Sequence, residues 1–529
     1  MSKKIVIIGA GLGGLTAASL LAKAGHDVTV LERNSWVGGK SRRIEVAGQR
    51  IDTGPSLVTF PGVIDELFAR YDRLGEGART SKAKDIANLT LEPLPEVGKY
   101  FFKDQIVNLP VEPGHPWFQA WQRFDAEHGG LGPEIVKLLT ADPFDAATLP
   151  AVNAIVKNYG TKLSTSAYLN GLKWMPEGLK EVISIHTLNA GIAPERTLAL
   201  YATMPAVMAR EGISVPLGGV YEITLALARL ATQAGAKIET DTQVTKISKN
   251  LVKTTTAEYA ADYVIGAADA QVIDALLGKK RKNRQKVSCS GVAVFAVLDK
   301  PLPTSTVTHS VIMPSNPKAL HKSLDHTKVP AETMAFLNYY KPGHIYPNEK
   351  ATAAILLTAP ANGEKFDINS EFVQRELSRI SKMIGLEHNI GDSIIAHKIL
   401  DPDYFAEFGA AGGSLGIVTY RAIAFCHTRV VSGRGPAVDR RGDELNRTAV
   451  MRQDLLAEAD RGVGGLRLTD DFHNVRSDVG EHVVADPGLA EVFDENSSFH
   501  VVGAQLGGRA HLGEFQRAIN RRSGRTITR

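Results

Sequence analysis

Apolar positions recur along the chain with two periods, and the switches between them mark its segments. Lys4 to Ile8 is a short β-branched run that meets Gly9-Ala10-Gly11-Leu12-Gly13-Gly14. Leu15, Ala18, Leu21 and Ala22 then recur at helical spacing until Gly25. The pattern predicts strand, tight turn and helix. A second strand is predicted from Asp27 to Leu31, ending at Glu32. Val63, Leu67, Phe68 and Tyr71 predict a helix over residues 60–74. Residues 86–109 alternate apolar and polar side chains between turn signals at Pro93, Pro95 and Gly98, which predicts hairpin strands of a second, sheet-based domain.

From about 133 to 211 the period is helical, with segments near 133–140, 146–159, 176–188 and 194–210 broken by Pro150, Gly160, Pro176, Gly191 and Pro194. Gly218-Gly219-Val220-Tyr221 opens a further helix that Gly235 ends. Strands are predicted at 237–239, 244–247 and 261–269, and again over 292–298, 333–340 and 351–358. An amphipathic helix at 371–385 follows. Asn338, Tyr339 and Tyr340 suit either a sheet core or the wall of a tunnel for a conjugated chain.

The first of these units carries chemistry. Gly9 permits the tight turn, Gly11 has no Cβ to block a pyrophosphate, and Gly14 lets helix and strand pack closely. A diphosphate then sits on the positive end of the helix dipole. Glu32, about 20 residues past the glycines, places a carboxylate where it can accept from both ribose hydroxyls of an adenosine, and it argues against a 2′-phosphate. The competing reading is a glycine-rich turn in an ordinary βαβ unit. Val37-Gly38-Gly39-Lys40-Ser41 and Ile51-Asp52-Thr53-Gly54-Pro55 follow at once, where a nicotinamide dehydrogenase normally enters another helix. The glycine pair brings the chain close to a ligand, and Lys40 and Arg42 offer cations to its diphosphate.

Composition narrows the picture further. With 529 residues and 43% hydrophobic content the chain can bury a large core in two or three domains. A net charge of +4 gives no case for nucleic acid. Six cations fall between Lys279 and Lys286, a run that reads as a solvated loop or a lipid-headgroup contact. Cys289 and Cys426 are far apart, so neither a disulfide framework nor a metal site is indicated. No signal peptide precedes the first strand and no run of 18 apolar residues occurs, so the expected location is cytoplasmic, peripheral at the inner face of the cell membrane.

The glycine turn, Glu32, Gly38-Gly39 and Asp52-Thr53-Gly54-Pro55-Ser56-Leu57 together resemble the start of the bacterial carotenoid desaturases, the phytoene desaturase-related FAD enzymes of the amine-oxidase-like flavoprotein superfamily. The wording is most similar to the hydroxycarotenoid 3,4-desaturase branch. Lys40 stands where that family usually has arginine, which keeps the charge and loses the bidentate fork. The resemblance implies an α/β fold with an α+β second domain. A discontinuous Rossmann-type FAD-binding domain would take 1–80, 214–288 and 400–529, a sheet-based substrate domain 81–132 and 289–399, and a helical insertion touching the membrane 133–213. It also implies FAD as cofactor, a polyene lipid as substrate, and Val244 beside the adenine. The candidate cofactor-binding set is Gly9, Gly11, Gly13, Gly14, Glu32, Arg33, Gly38, Gly39, Lys40, Ser41, Arg42, Gly54, Pro55 and Val244. No catalytic residue is singled out, and His26, His186 and His309 read as structural.

The tail departs from this pattern. The first 398 residues hold 30 lysines and 15 arginines, whereas the last 131 hold 16 arginines and no lysine. The family's closing turn, His-Pro-Gly-Gly-Gly-x-Pro, is missing. The nearest match is His500-Val501-Val502-Gly503-Ala504 with Gly507-Gly508 beyond it, where Val501-Val502-Gly503 suits a last strand. Either the ending is lineage-specific or the reading frame shifts near Leu415, and an Arg-rich, Lys-free stretch is what a GC-rich gene gives out of frame. A shift predicts that another frame of the coding DNA past codon 415 contains the missing glycine-proline turn; its absence from every frame would end the idea.

Overall fold

The computed structural model describes residues 2–54, 56–74, 81–141, 146–279, 286–409, 411–413, 417–419, 422–424 and 429–433. Pro55, most of the cationic run after Lys279, and the tail from residue 434 onward, including Val501-Val502-Gly503, lie outside the described residues.

The first strand, Lys4–Ile8, is apolar on both faces, with Ile5, Val6, Ile7 and Ile8 all buried. Such a strand belongs in the middle of a covered parallel sheet. Asp27–Leu31 and Tyr263–Gly266 flank it in parallel, with Ile5 opposite Val28 on one side and Tyr263 on the other. Lys237–Glu239 extends the sheet beyond Asp27–Leu31, and Arg429–Gly433 closes the other edge antiparallel to Tyr263–Gly266. The connecting helix, Leu12–Lys23, keeps Leu15, Ala18, Leu21 and Ala22 inward. It shares a core with Leu227, Leu230 and Ala231 of helix Tyr221–Gln233. On the opposite face Val6, Ile8 and Leu31 meet the meander of Val244–Ser248, Leu251–Thr254 and Glu258–Ala260.

The second sheet has seven strands in the order Ile394–Leu400, Ser290–Leu298, Thr352–Ala359, Ala335–Tyr340, His309–Ile312, Gly98–Phe102 and Gln105–Leu109. All neighbours are antiparallel except His309–Ile312 with Gly98–Phe102. Helix Glu371–Met383 covers one face through Phe372, Val373, Leu377 and Ile380. The opposite face is shared. Its Ser290–Leu298 side packs on the hairpin Arg43–Val46 and Gln49–Asp52, while its Gly98–Phe102 side packs on the helical layer. In that layer Phe124, Ile135, Ile155 and Leu179 are each at most 1% exposed, and each contributes about 2 kcal/mol by burial.

Two local expectations change. Strand Leu91–Leu94 does not form a hairpin with its neighbour but pairs antiparallel with Ile213–Pro216. Pro93 has no amide hydrogen, which suits it to a short two-stranded edge. The expected helix over 194–210 is a 3₁₀ turn, Ala199–Thr203, followed by helix Met204–Glu211, because Pro205 in the first turn sets the start. The apolar residues of the helical segment also turn inward: Tyr168, Leu169, Met175, Leu200, Tyr201, Met204, Val207 and Met208 belong to the buried core. Among the described residues no helix is long and apolar enough to cross a membrane, and no cluster of three or more His, Cys, Asp or Glu could hold a metal ion.

Candidate cofactor site

At the glycine turn the backbone leaves no room for side chains. Gly9 has φ +101°, and a Cβ there would lie 2.9 Å from the Ala267 carbonyl oxygen. A Cβ on Gly14 would lie 2.1 Å from the Gly9 carbonyl oxygen. Gly11 is the N-cap of helix Leu12–Lys23 and offers no side-chain cap, Gly13 is buried in the first turn, and that turn contains no acid. The unsatisfied amides and the positive dipole end are therefore left for an anionic ligand.

Glu32 is 5% exposed and is clamped by the chain around it. One carboxylate oxygen accepts from the Ala10 amide at 2.8 Å. The other accepts from the Asn34 amide at 2.9 Å and the Asn34 side chain at 2.7 Å. Its position at the strand end thus directs the carboxylate back to the glycine turn. Val244 begins its strand buried in the cluster that contains Leu31, directly before Glu32.

The second glycine pair closes over the first. The Gly38 amide donates to the Ala10 carbonyl at 2.7 Å. Gly38 and Gly39 have φ of +107° and +60°, and a Cβ on Gly38 would lie 2.1 Å from the Ser41 carbonyl oxygen. Ser41 is buried and packs under Gly54, whose φ is +112°. Lys40 and Arg42 are half-buried in this loop. The Arg42 guanidinium lies over the rings of Trp36 at 4.5 Å and Tyr404 at 5.4 Å, and its Nε is buried with no hydrogen-bond partner. A buried cationic donor without an acceptor, beside a glycine turn with open amides, fits a bound diphosphate. Arg33 takes a different course: it is exposed, donates to the Glu407 carbonyl at 2.9 Å and lies 5.4 Å from the Phe408 ring.

Sequence reasoning missed what holds the loop. The Arg43 guanidinium binds Asp52 at 2.8 Å, Glu222 at 3.1 Å and the Gly218 carbonyl. Asp52 also accepts from the Tyr221 amide at 2.9 Å, and the Tyr221 hydroxyl donates to the Val37 carbonyl at 3.0 Å. Burial raises the Asp52 carboxyl, with Arg43 opposing that shift. Arg43 and Glu222 are 179 residues apart, so no local signal joins them.

Comparison with known proteins agrees with this geometry. Residues 7–74 match an NAD(P)-binding Rossmann-like domain, and residues 174–411 match the flavin containing amine oxidoreductases. The chain is 28% identical to a carotenoid 3,4-desaturase of Haloarcula japonica over 46% of its own length and 50% of that protein. It is 26% identical to a 1-hydroxycarotenoid 3,4-desaturase of a Flavobacterium over 62% and 70%. The chain is similar to carotenoid desaturases and shares their flavin containing amine oxidoreductase segment. It spans about half the length of the curated relatives that it matches first. Among solved structures, a putrescine oxidase variant superposes with a TM-score of 0.52 at 13% identity, covering 79% of this chain and 88% of that one, which shows the shared flavoprotein fold. The match to flavin containing amine oxidoreductases implies a flavin as the cofactor.

Proposed function

We propose that this chain is an FAD-dependent carotenoid desaturase that oxidises a carbon–carbon single bond, of the C-3,4 type, next to the polyene of an acyclic or hydroxylated carotenoid. The observation that carries the reading is Glu32, held at the glycine turn where a ribose of FAD would lie, together with the half-buried Arg42, whose Nε has no hydrogen-bond partner. In this reading Glu32 accepts from the adenosine ribose hydroxyls and the amides from Gly11 to Gly14 hold the diphosphate. Lys40 and Arg42 neutralise its charge, and Val244 packs against the adenine. When bound, FAD would supply a two-electron acceptor for the hydride of an allylic carbon, with a proton lost from the neighbouring carbon and one double bond added.

Extended conjugation spreads developing charge, so the protein's task is to orient the polyene in a dry space. The sheet face between the Arg43–Asp52 hairpin and the helical layer is lined by buried apolar residues and suits that task. The FAD-binding unit would be discontinuous in sequence, as expected from the chain order. A polyene resides in lipid, so the reading includes a peripheral membrane contact through which the substrate enters.

A second reading has its own support. The composition break after Lys398 and the end of the family match at residue 411 nearly coincide, which favours a shifted frame and an inactive tail. One experiment addresses both. The chain is expressed in cells that accumulate a hydroxylated acyclic carotenoid, beside a version carrying the C-terminus restored from the other frame, and the pigments are analysed. A red-shifted product with one further conjugated double bond is expected. Unchanged pigment from both versions would refute the desaturase reading, whereas product from the restored version alone would identify the tail as the defect.

A further inference from the structure

Two arginines of the first unit end on one turn late in the chain. Helix Pro402–Ala406 is set by Asp401, whose side chain accepts from the Tyr404 amide at 3.0 Å and from the Phe366 amide at 2.9 Å. Tyr404 and Phe405 pack against the core that joins the hairpin of Arg43–Val46 and Gln49–Asp52 to the seven-stranded sheet. The turn is therefore seated on the body of the protein. Phe408, four residues after Tyr404, meets its ring edge-on at 5.4 Å, and helical spacing puts the two rings on one side.

That side meets the cofactor loop. The Arg42 guanidinium lies 5.4 Å from the Tyr404 ring and 4.5 Å from the Trp36 ring. A ring face attracts a cation without taking up the donors in its plane. The contact thus holds Arg42 and leaves its buried Nε, which has no hydrogen-bond partner among the described residues, for an anion. Arg33 is engaged by the turn itself: it lies 5.4 Å from the Phe408 ring and donates to the Glu407 carbonyl at 2.9 Å. It fastens the turn and not the ligand.

We propose that the turn at 404–408 is a clasp on the cofactor site, with Tyr404 as the positioning residue for Arg42 and Arg33 tying the turn to the first unit. The proposal rests on the FAD reading above and adds to it a segment that the glycine motifs do not contain. A desolvated contact between cation and ring is worth about tenfold in affinity. Linkage is reciprocal, so bound FAD should slow the opening of the turn by the same factor.

The test is FAD binding to the full chain by equilibrium dialysis. Tyr404→Leu is expected to bind about tenfold more weakly, and Tyr404→Phe, which keeps the ring, about as well as wild type. In an Arg42→Ala background Tyr404→Leu should have no further effect. Equal weakening by Tyr404→Phe, or full additivity with Arg42→Ala, overturns the positioning role. A second measurement needs no variant to fold: in the wild type, saturating FAD should slow amide exchange at 401–408 about tenfold as well as in the loop at 33–42. Protection of the loop with none at the turn overturns the clasp. A wild-type chain that binds no FAD would instead remove the cofactor reading itself.

Discussion

At the scale of single residues, Glu32 does two jobs whose effects separate. Its oxygens satisfy the Ala10 and Asn34 amides, and in the proposed complex they also meet the ribose. Glu32→Ala removes charge-assisted bonds worth about 1.5–3 kcal/mol each, so both stability and FAD affinity should fall. Glu32→Gln keeps an acceptor for Ala10 and loses the charge. It should fold nearly as well as wild type and bind FAD at least tenfold more weakly, as measured by flavin fluorescence quenching. Unchanged FAD affinity in Glu32→Gln would mean that the carboxylate only ties the turn together. The steric side of the same turn leaves no latitude, since a Cβ on Gly14 would overlap the Gly9 carbonyl.

At the scale of elements, two networks decide how the layers are fastened. The Arg43–Asp52–Glu222 cluster joins the hairpin to helix Tyr221–Gln233, and Asp52 is buried. Arg43→Met strands that carboxylate and should cost about 3–5 kcal/mol in denaturant unfolding, with much of the loss returned when Asp52→Asn is added. No recovery in the double variant would show that the pair is not energetically coupled. In the helical layer His128 is fully buried between Thr203 at 2.8 Å and Tyr168 at 2.6 Å, and burial lowers its pKa to about 4. The unfolded chain binds the proton first, so the stability due to neutral His128 is complete above the ordinary value of 6.5 and is lost as pH falls toward 4. The loss by pH 5 is roughly 2 kcal/mol. Melting temperature should therefore drop between pH 7.5 and 5, and His128→Gln should flatten that slope; an unchanged slope assigns the acid sensitivity elsewhere. These examples also show what the chain makes legible. The glycine turn, Glu32 and the central strand are set by neighbours within about thirty residues, and periodicity carries them. His128 meets Thr203 across 75 positions, and Leu91–Leu94 finds Ile213–Pro216, through packing that no local period encodes. Pro93 reads as a turn signal yet lies inside strand Leu91–Leu94, and Pro205 stands in the first turn of helix Met204–Glu211.

For the whole molecule, the described residues form two large sheets, several smaller ones and a helical layer, and the hairpin that bears Asp52 packs on the seven-stranded sheet. The adenosine end of the proposed cofactor rests on the first 54 residues and the Val244 strand. The contacts drawn for that end all come from described residues, whereas the stretch after Lys398 stands apart by its lysine-free composition. FAD binding is thus expected to survive in this chain even where turnover depends on a restored ending. The decisive measurement is a titration of the purified full chain with FAD, followed by release and identification of the bound flavin. Saturable binding of one FAD per chain, weakened by Glu32→Gln, is the expected result. The absence of saturable FAD binding, or binding indifferent to Glu32, would contradict the assignment.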